Sequence, residues 1–173
     1  MSLFGEPTAR ERLVWQIRAQ IRRLAVEGFG AREVAVPIGQ SGLTRSGVDD
    51  ALAGIGAARL AQRVAEAVIA DYAVEARTAG RTWVEIGAAL GITGEDWPGA
   101  VAERAFDQVT HGGDQGGWSR SSVRWRCPGC GEWITDTGPF TSHPADIEAG
   151  HAYGCVRYAA DVAAWAEQAG WED

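Results

Sequence analysis

The sequence predicts a mainly α-helical protein, with a helical domain over residues 1–110, a glycine-rich linker over 111–117 and a small C-terminal module over 118–173. Apolar residues recur at spacings of three and four along the first part, and glycines follow these stretches, which is typical of short amphipathic helices. All three cysteines lie within 29 residues of the last part. The apolar fraction of 46% is enough for one core and a small satellite domain.

The first helix is expected over residues 8–27. Its apolar residues are spaced to share one helical face: Leu13, Ile17, Ile21 and Leu24. The glycines at positions 28 and 30 are expected to end it. Arg18 and Arg22 lie away from the apolar stripe, so they form either a solvated charged face or a surface that contacts phosphates.

Five further helices complete the expected domain, over residues 31–39, 44–54, 57–78, 83–90 and 98–109. Thr44 and Thr82 are expected as N-caps, because a threonine hydroxyl can accept a hydrogen bond from a free amide in the first turn. Pro98 fits a first helical position, where its missing amide would have had no partner.

Two pairs of these short helices share a spacing that suits a helix-turn-helix. In each pair a small residue is followed four positions later by glycine, which permits close packing and a tight turn: Ala35 with Gly39, and Gly87 with Gly91. The stretches 41–52 and 80–93 resemble helix-turn-helix units of bacterial regulators. The resemblance implies tandem units over about 8–56 and 57–110, in a fold that often binds DNA.

The two units differ where a recognition helix would begin. Arg45 and Ser46 stand there in the first unit, and arginine can make a bidentate contact to guanine. Glu95 and Asp96 stand there in the second, where they would repel phosphates, so the second unit is interpreted as a packing unit. Pro37 is expected to kink or end the helix that precedes the first turn.

Three cysteines and one histidine have the spacing of a metal site. Cys127 and Cys130 are three residues apart in a Cys-Pro-Gly-Cys knuckle. His151 and Cys155 are four residues apart, and we expect them to share one face at the start of a helix. These four residues predict one structural Zn²⁺. His143 is the alternative fourth ligand, but the proline after it favours an extended backbone and a hydrogen bond within the loop, with Asp146 or Glu148 as partner.

A hairpin is expected around Asp136-Thr137, from residues 133–135 and 138–140, and a helix over 155–168. Knuckle, hairpin and helix together resemble a treble clef. The string from residue 127 to 155 also resembles a zinc module of uncharacterised proteins from high-GC bacteria, and this resemblance brings no established activity. The absence of lysine among the 16 basic residues fits the same genomic bias.

Arginines and tryptophans alternate just before the knuckle, over residues 118–126. Such a segment can stack on bases and hold phosphates, through Arg124 and Arg126. It can also be a strand whose tryptophans pack on the hairpin, and this second interpretation is favoured.

The leading hypothesis is a DNA-binding or transcription-associated regulatory protein with a structural zinc, whose partner is double-stranded DNA. The alternative is a protein–protein interaction adaptor, which the net charge of −7 favours. An enzyme is not expected, because four good ligands close the metal site and no catalytic motif accompanies it. No targeting signal and no stretch of about 20 apolar residues occurs, so a cytoplasmic protein without a membrane partner is expected. A homodimer is compatible with either hypothesis.

Overall fold

The structure is a computed structural model that describes residues 6–93, 98–111, 122–139 and 143–170. The described residues form six helices and five strands: α1 (Ala9–Phe29), β1 (Glu33–Pro37), β2 (Thr44–Val48), α2 (Ala51–Thr78), α3 (Trp83–Ala89), α4 (Pro98–His111), β3 (Val123–Arg126), β4 (Trp133–Asp136), α5 (Pro144–Ile147), β5 (Glu148–Ala149) and α6 (Val156–Ala169).

Contacts divide the chain into two compact units, Met1–Ala65 and Glu66–Asp173, and the division falls within α2. The glycine-rich segment that the sequence marks as a linker lies outside the described residues, apart from His111 at the end of α4. Among the described helices, none combines the length and the apolar character that a membrane span needs.

The first helix is confirmed, with small differences at its end. Thr8 caps α1 through a reciprocal capping box with Glu11, in which each side chain accepts from the other residue's backbone amide. The helix continues through Gly28 to Phe29, and Gly30 is the residue that caps it. Only Ala25 of this helix is buried among the described residues, so most of its apolar stripe is not covered.

The two helices predicted over 31–39 and 44–54 are wrong, because these residues form an antiparallel hairpin. β1 pairs with β2 in a register that places Val36 opposite Arg45 and Pro37 opposite Thr44. The valines of β1 alternate with more exposed residues, which is a strand pattern rather than a helical one. Pro37 is tolerated because it is the last residue of a strand in a two-stranded sheet, where the lack of an amide N–H does not interrupt the hydrogen bonds between the strands.

The first helix-turn-helix unit is therefore absent. Arg45 and Ser46 lie in the exposed strand β2, not at the start of a recognition helix, and Thr44 is not an N-cap. The cap in this region is Asp50, whose carboxylate accepts from the amides of Leu52 and Ala53 and starts α2 six residues earlier than the sequence predicts.

The helix after residue 82 is confirmed, with Thr82 in a capping box with Glu85. A Cβ added at Gly87 would lie 2.6 Å from Val101 Cγ1, so glycine permits the close approach of α3 and α4. Trp83 and Phe106 meet edge to face, with ring centroids 5.1 Å apart, in the core between these helices and α2. The acidic residues at 95 and 96 lie outside the described residues.

The C-terminal sheet has the strand order β3-β4-β5, antiparallel throughout. The hairpin predicted around Asp136-Thr137 is wrong, because β4 pairs with β3 before it and with β5 after it. Asp136 ends β4, and its carboxylate accepts from the amide of Gly138. The helix predicted over 155–168 is confirmed as α6, with Cys155 as its N-cap residue.

Candidate metal centre

The knuckle between β3 and β4 presents the first two candidate sulfur ligands. Cys127 follows β3 directly, and its amide donates to the carbonyl of Glu132 while its carbonyl accepts from Gly131. The amide of Gly129 points at Cys127 Sγ, 3.3 Å away. This turn holds Cys127 and Cys130 on one side of the hairpin end, as the Cys-Pro-Gly-Cys spacing predicts.

The second pair of ligands stands in the segment that leads from β5 into α6. His151 and Cys155 were expected on one face of a helix, but both precede α6. Gly150 makes this path possible, since its φ is +109° and a Cβ there would lie 2.5 Å from the carbonyl oxygen of Trp133. The close approach brings the chain past Trp133, the first residue of β4, and places His151 beside Cys130 of the knuckle.

The four predicted residues converge on one point. One ligand atom from each of Cys127, Cys130, His151 and Cys155 lies within 4.8 Å of the other three. The sulfurs of Cys127 and Cys155 are 3.7 Å apart, and Cys130 Sγ is 3.9 Å from His151 Nδ1. Two sulfurs that bind one tetrahedral ion at about 2.3 Å are about 3.8 Å apart, so the spacing fits a single four-coordinate metal.

A buried carboxylate orients the histidine. His151 Nε2 lies 2.9 Å from Glu148 Oε2, which leaves Nδ1 as the nitrogen that faces the sulfurs. Arg157 donates to both carboxylate oxygens of Glu148, and Arg77 donates to Oε1. A carboxylate behind a ligating histidine fixes the ring and its tautomer in many metal sites. The sequence offered Glu148 only as a partner of His143, so this role was missed.

Arg77 extends the network from the metal centre into α2. It is only 4% exposed, and it donates to Glu148 and, at 3.3 Å, to Asp136, which is 1% exposed. Asp136 Oδ2 also accepts from the indole nitrogens of Trp83 and Trp125. The guanidinium carbons of Arg77 and Arg157 lie 4.7 and 4.5 Å from the Trp125 ring centroid.

The surroundings shift the pKa values of two of the candidate ligands, Cys130 and Cys155, in opposite directions. Backbone amides of Ala152 and Glu132 donate to Cys130 and lower its thiol pKa to about 6, which favours the thiolate that binds metals. Burial raises the pKa of Cys155. Burial alone would also raise the pKa of Glu148, but the hydrogen bonds from Arg157 and the charge of Arg77 outweigh it and hold the pKa below its usual value.

His143, the alternative ligand, lies outside the cluster. Its Nδ1 accepts from the amide of Ala145, which makes it the N-cap of α5, and its ring meets Trp165 edge to face at 4.9 Å. The hydrogen bond within the loop is confirmed, although its partner is Ala145 rather than Asp146 or Glu148.

The predicted nucleic-acid contacts occupy three different elements. Arg18 is exposed on α1, whereas Arg22 is half-buried and its Nε has no hydrogen-bond partner among the described residues. Arg45 and Ser46 lie on β2, and Arg124 and Arg126 are exposed on β3.

No protein-family model, no curated protein and no solved structure matches this chain, so the site is interpreted from its own geometry.

Proposed function

We propose that this chain is an adaptor that binds another protein through α1, while one structural zinc ion stabilises its C-terminal part. The observation that carries the adaptor function is the uncovered apolar face of α1. Leu13 is 57% exposed and Ile17 is 59% exposed, although both belong to the stripe that a core would normally cover.

The zinc is proposed to be structural because the ligand set leaves no open position. Three cysteines and one histidine complete a tetrahedral shell, and a catalytic zinc normally keeps one position for water. Glu148, the acid that contacts His151, is also engaged by Arg77 and Arg157. A carboxylate so occupied is a poor general base, which supports a binding protein over an enzyme.

The face of α1 borders a groove that suits a second helix. Leu13, Ile17, Ile21 and Leu24 of α1 line it together with Gln16, Gln20 and Ala61, and its volume is about 520 Å³. Arg10 lies one turn before Leu13, and Arg18 lies about a quarter turn from the stripe. Neither arginine forms an ion pair within the described residues. An amphipathic helix with acidic margins therefore complements the groove in both shape and charge.

Double-stranded DNA is the weaker partner. The recognition helix that Arg45 was to begin is a strand, and the net charge of −7 opposes general phosphate binding. The arginines of α1 flank an apolar groove, and apolar side chains gain nothing from a phosphate backbone.

The test uses a synthetic amphipathic helix of leucine and glutamate as the probe. Wild-type protein should bind it, and Ile17→Ser should weaken binding by about tenfold or more, as expected for loss of a central apolar anchor. Trp15→Ser is the matched control, because Trp15 is 57% exposed on the same helix but does not line the groove. It should bind like wild type.

Two results would overturn this proposal. The first is equal binding of the same probe with lysine in place of glutamate, since the arginines would then contribute nothing. The second is a wild-type dimer, in sedimentation velocity, that Ile17→Ser dissociates, which would make a second copy the occupant of the groove.

A further inference from the structure

The outer face of the β3–β4 hairpin carries an aromatic ring between two exposed arginines. Trp125 and Ile134 point into the core, so the residues one step along each strand point outward. These are Arg124 and Arg126 on β3 and Trp133 on β4. We name this set the Arg-Trp-Arg face.

Both guanidinium groups lie against the same indole. The Cζ atoms of Arg126 and Arg124 are 5.1 and 5.7 Å from the Trp133 ring centroid. Arg126 is held further by a hydrogen bond from Nη1 to the carbonyl of Gly131, at 3.0 Å. Trp133 remains 50% exposed, so the arrangement is ordered but open to solvent.

The positive charges of this face are not neutralised by carboxylates within the described part of the chain. Neither Arg124 nor Arg126 forms an ion pair there, whereas Arg23, Arg32, Arg77, Arg81 and Arg157 all do. A guanidinium stacked on a ring keeps N–H groups at its edge, and these can hold a phosphate. The exposed indole adds a surface on which a base can stack.

We infer that the Arg-Trp-Arg face binds single-stranded nucleic acid, by stacking one base on Trp133 and holding flanking phosphates with Arg124 and Arg126. A single strand fits because its bases are unstacked and accessible, whereas a duplex hides base faces. Backbone and stacking contacts read little sequence, so we expect weak base preference. This surface and its partner differ from those of the proposed adaptor function, so either can fail without the other.

The experiment measures binding of fluorescent oligothymidine and oligouridine to the zinc-loaded full chain, with a duplex of equal length as comparison. Both single strands should bind more tightly than the duplex. Trp133→Ala should weaken binding roughly 5- to 150-fold, the loss of one base–aromatic stack. Trp133→Phe, which keeps an aromatic ring, should restore much of that loss.

The contribution of Arg124 and Arg126 should be visible in the salt dependence of oligonucleotide binding. Arg124→Ala and Arg126→Ala should each flatten the slope of log K against log salt by about 0.7, the value for one phosphate of a single strand. Arg45→Ala is the matched control, since Arg45 is also an exposed arginine on a strand but has no aromatic ring stacked on it within the described part of the chain. It should leave the slope unchanged.

Three outcomes would overturn the inference. One is binding that Trp133→Ala leaves intact, in a variant whose zinc content and thermal unfolding match wild type. Another is duplex binding as tight as single-strand binding. The third is displacement of the oligonucleotide by polyglutamate at equal charge concentration, which would assign the face to an acidic protein segment.

Discussion

The buried side chains of the unit Glu66–Asp173 include Trp83, Phe106, Trp125 and Ile134, whereas those among the described residues of the unit Met1–Ala65 are alanines. Large side chains bury several times more apolar area than alanine does, and hydrophobic stabilisation scales with that area. The second unit adds a buried network of ions beside the candidate metal centre. The first unit instead leaves Leu13 and Ile17 exposed. The comparison shows that large apolar side chains are buried in the second unit, whereas α1 of the first unit leaves them exposed.

Metal removal should have the largest effect, and it should act on the second unit. Structural zinc contributes on the order of 10 kcal/mol to small domains. We expect chelation to speed amide hydrogen exchange in β3, β4 and α6, and also in α3, because Trp83 donates to Asp136 of the metal module. α1 and the β1–β2 hairpin contain none of the four ligands and serve as the internal control. If chelation left the amide hydrogen exchange rate unchanged in every element, the second unit would not depend on metal as we propose.

Loss of Arg77 should have the next largest effect. Arg77→Ala leaves the carboxylates of Asp136 and Glu148 buried with less compensation, and breaking a buried ion pair costs about 3–5 kcal/mol. Arg81→Ala is the matched control on the exposed surface, where solvent screens its ion pair with Glu85, so we expect a much smaller loss of stability. Denaturant unfolding of the zinc-loaded protein measures both. Similar losses for the two variants would mean that the buried network contributes no more than a surface pair.

The carboxylate of Glu148, which contacts His151, should affect zinc affinity more than it affects folding. Glu148→Gln keeps the size of the side chain but removes the charge that faces His151 and Arg157, so we expect a loss of about 10- to 100-fold in zinc affinity. Competition with a chromophoric chelator measures this. Glu132→Gln, a change at an exposed acid of the same module, should leave the affinity unchanged. An equal loss in both variants would assign the effect to net charge alone.

The smallest predicted effect lies in the first unit and concerns pH. The Arg32 amide donates to Asp49 Oδ1 at 2.8 Å, and this hydrogen bond, aided by one from the Arg32 side chain, lowers the pKa of Asp49. Because the folded pKa is depressed, the stabilisation is present above the usual aspartate pKa and is lost as pH falls through the folded value. The Arg32 amide proton shift should titrate with a midpoint below about 3.9, the usual aspartate value. A midpoint at or above that value would contradict the contact.

The convergence of Cys127, Cys130, His151 and Cys155 could be predicted because their pattern is local. Cys127 and Cys130 stand in one short turn, and thiolates so spaced can share one ion whatever the rest of the chain does. Choosing His151 over His143 also depended on a local feature, the proline at 144. The supporting network was not predictable in this way, since Arg77 lies 59 residues before Asp136 and 71 before Glu148. A single sequence carries no periodic signal for such distant pairs.

The β1–β2 hairpin shows the opposite case, in which a local pattern was misinterpreted. The spacing of Ala35 and Gly39 suggested a tight turn between helices, but Val34 and Val36 alternate as in a strand and Pro37 cannot continue a helix. The equivalent spacing at Gly87 and Gly91 does lie in a helix and the turn after it, where Thr82 supplies a capping box that the first segment lacks. Capping residues distinguish the two segments where glycine spacing does not.

We propose that Cys127, Cys130, His151 and Cys155 hold one tetrahedral zinc ion. The most direct test of this claim is to measure the metal content of purified protein and its absorption spectrum after cobalt substitution, in wild type, His151→Ala and His143→Ala. We predict one zinc per chain and, with cobalt, the intense visible bands of tetrahedral coordination with thiolate-to-metal bands in the near ultraviolet. His143→Ala should keep this spectrum, and His151→Ala should lose or distort it. Folded wild-type protein without metal, or a spectrum that depends on His143 instead of His151, would contradict the claim.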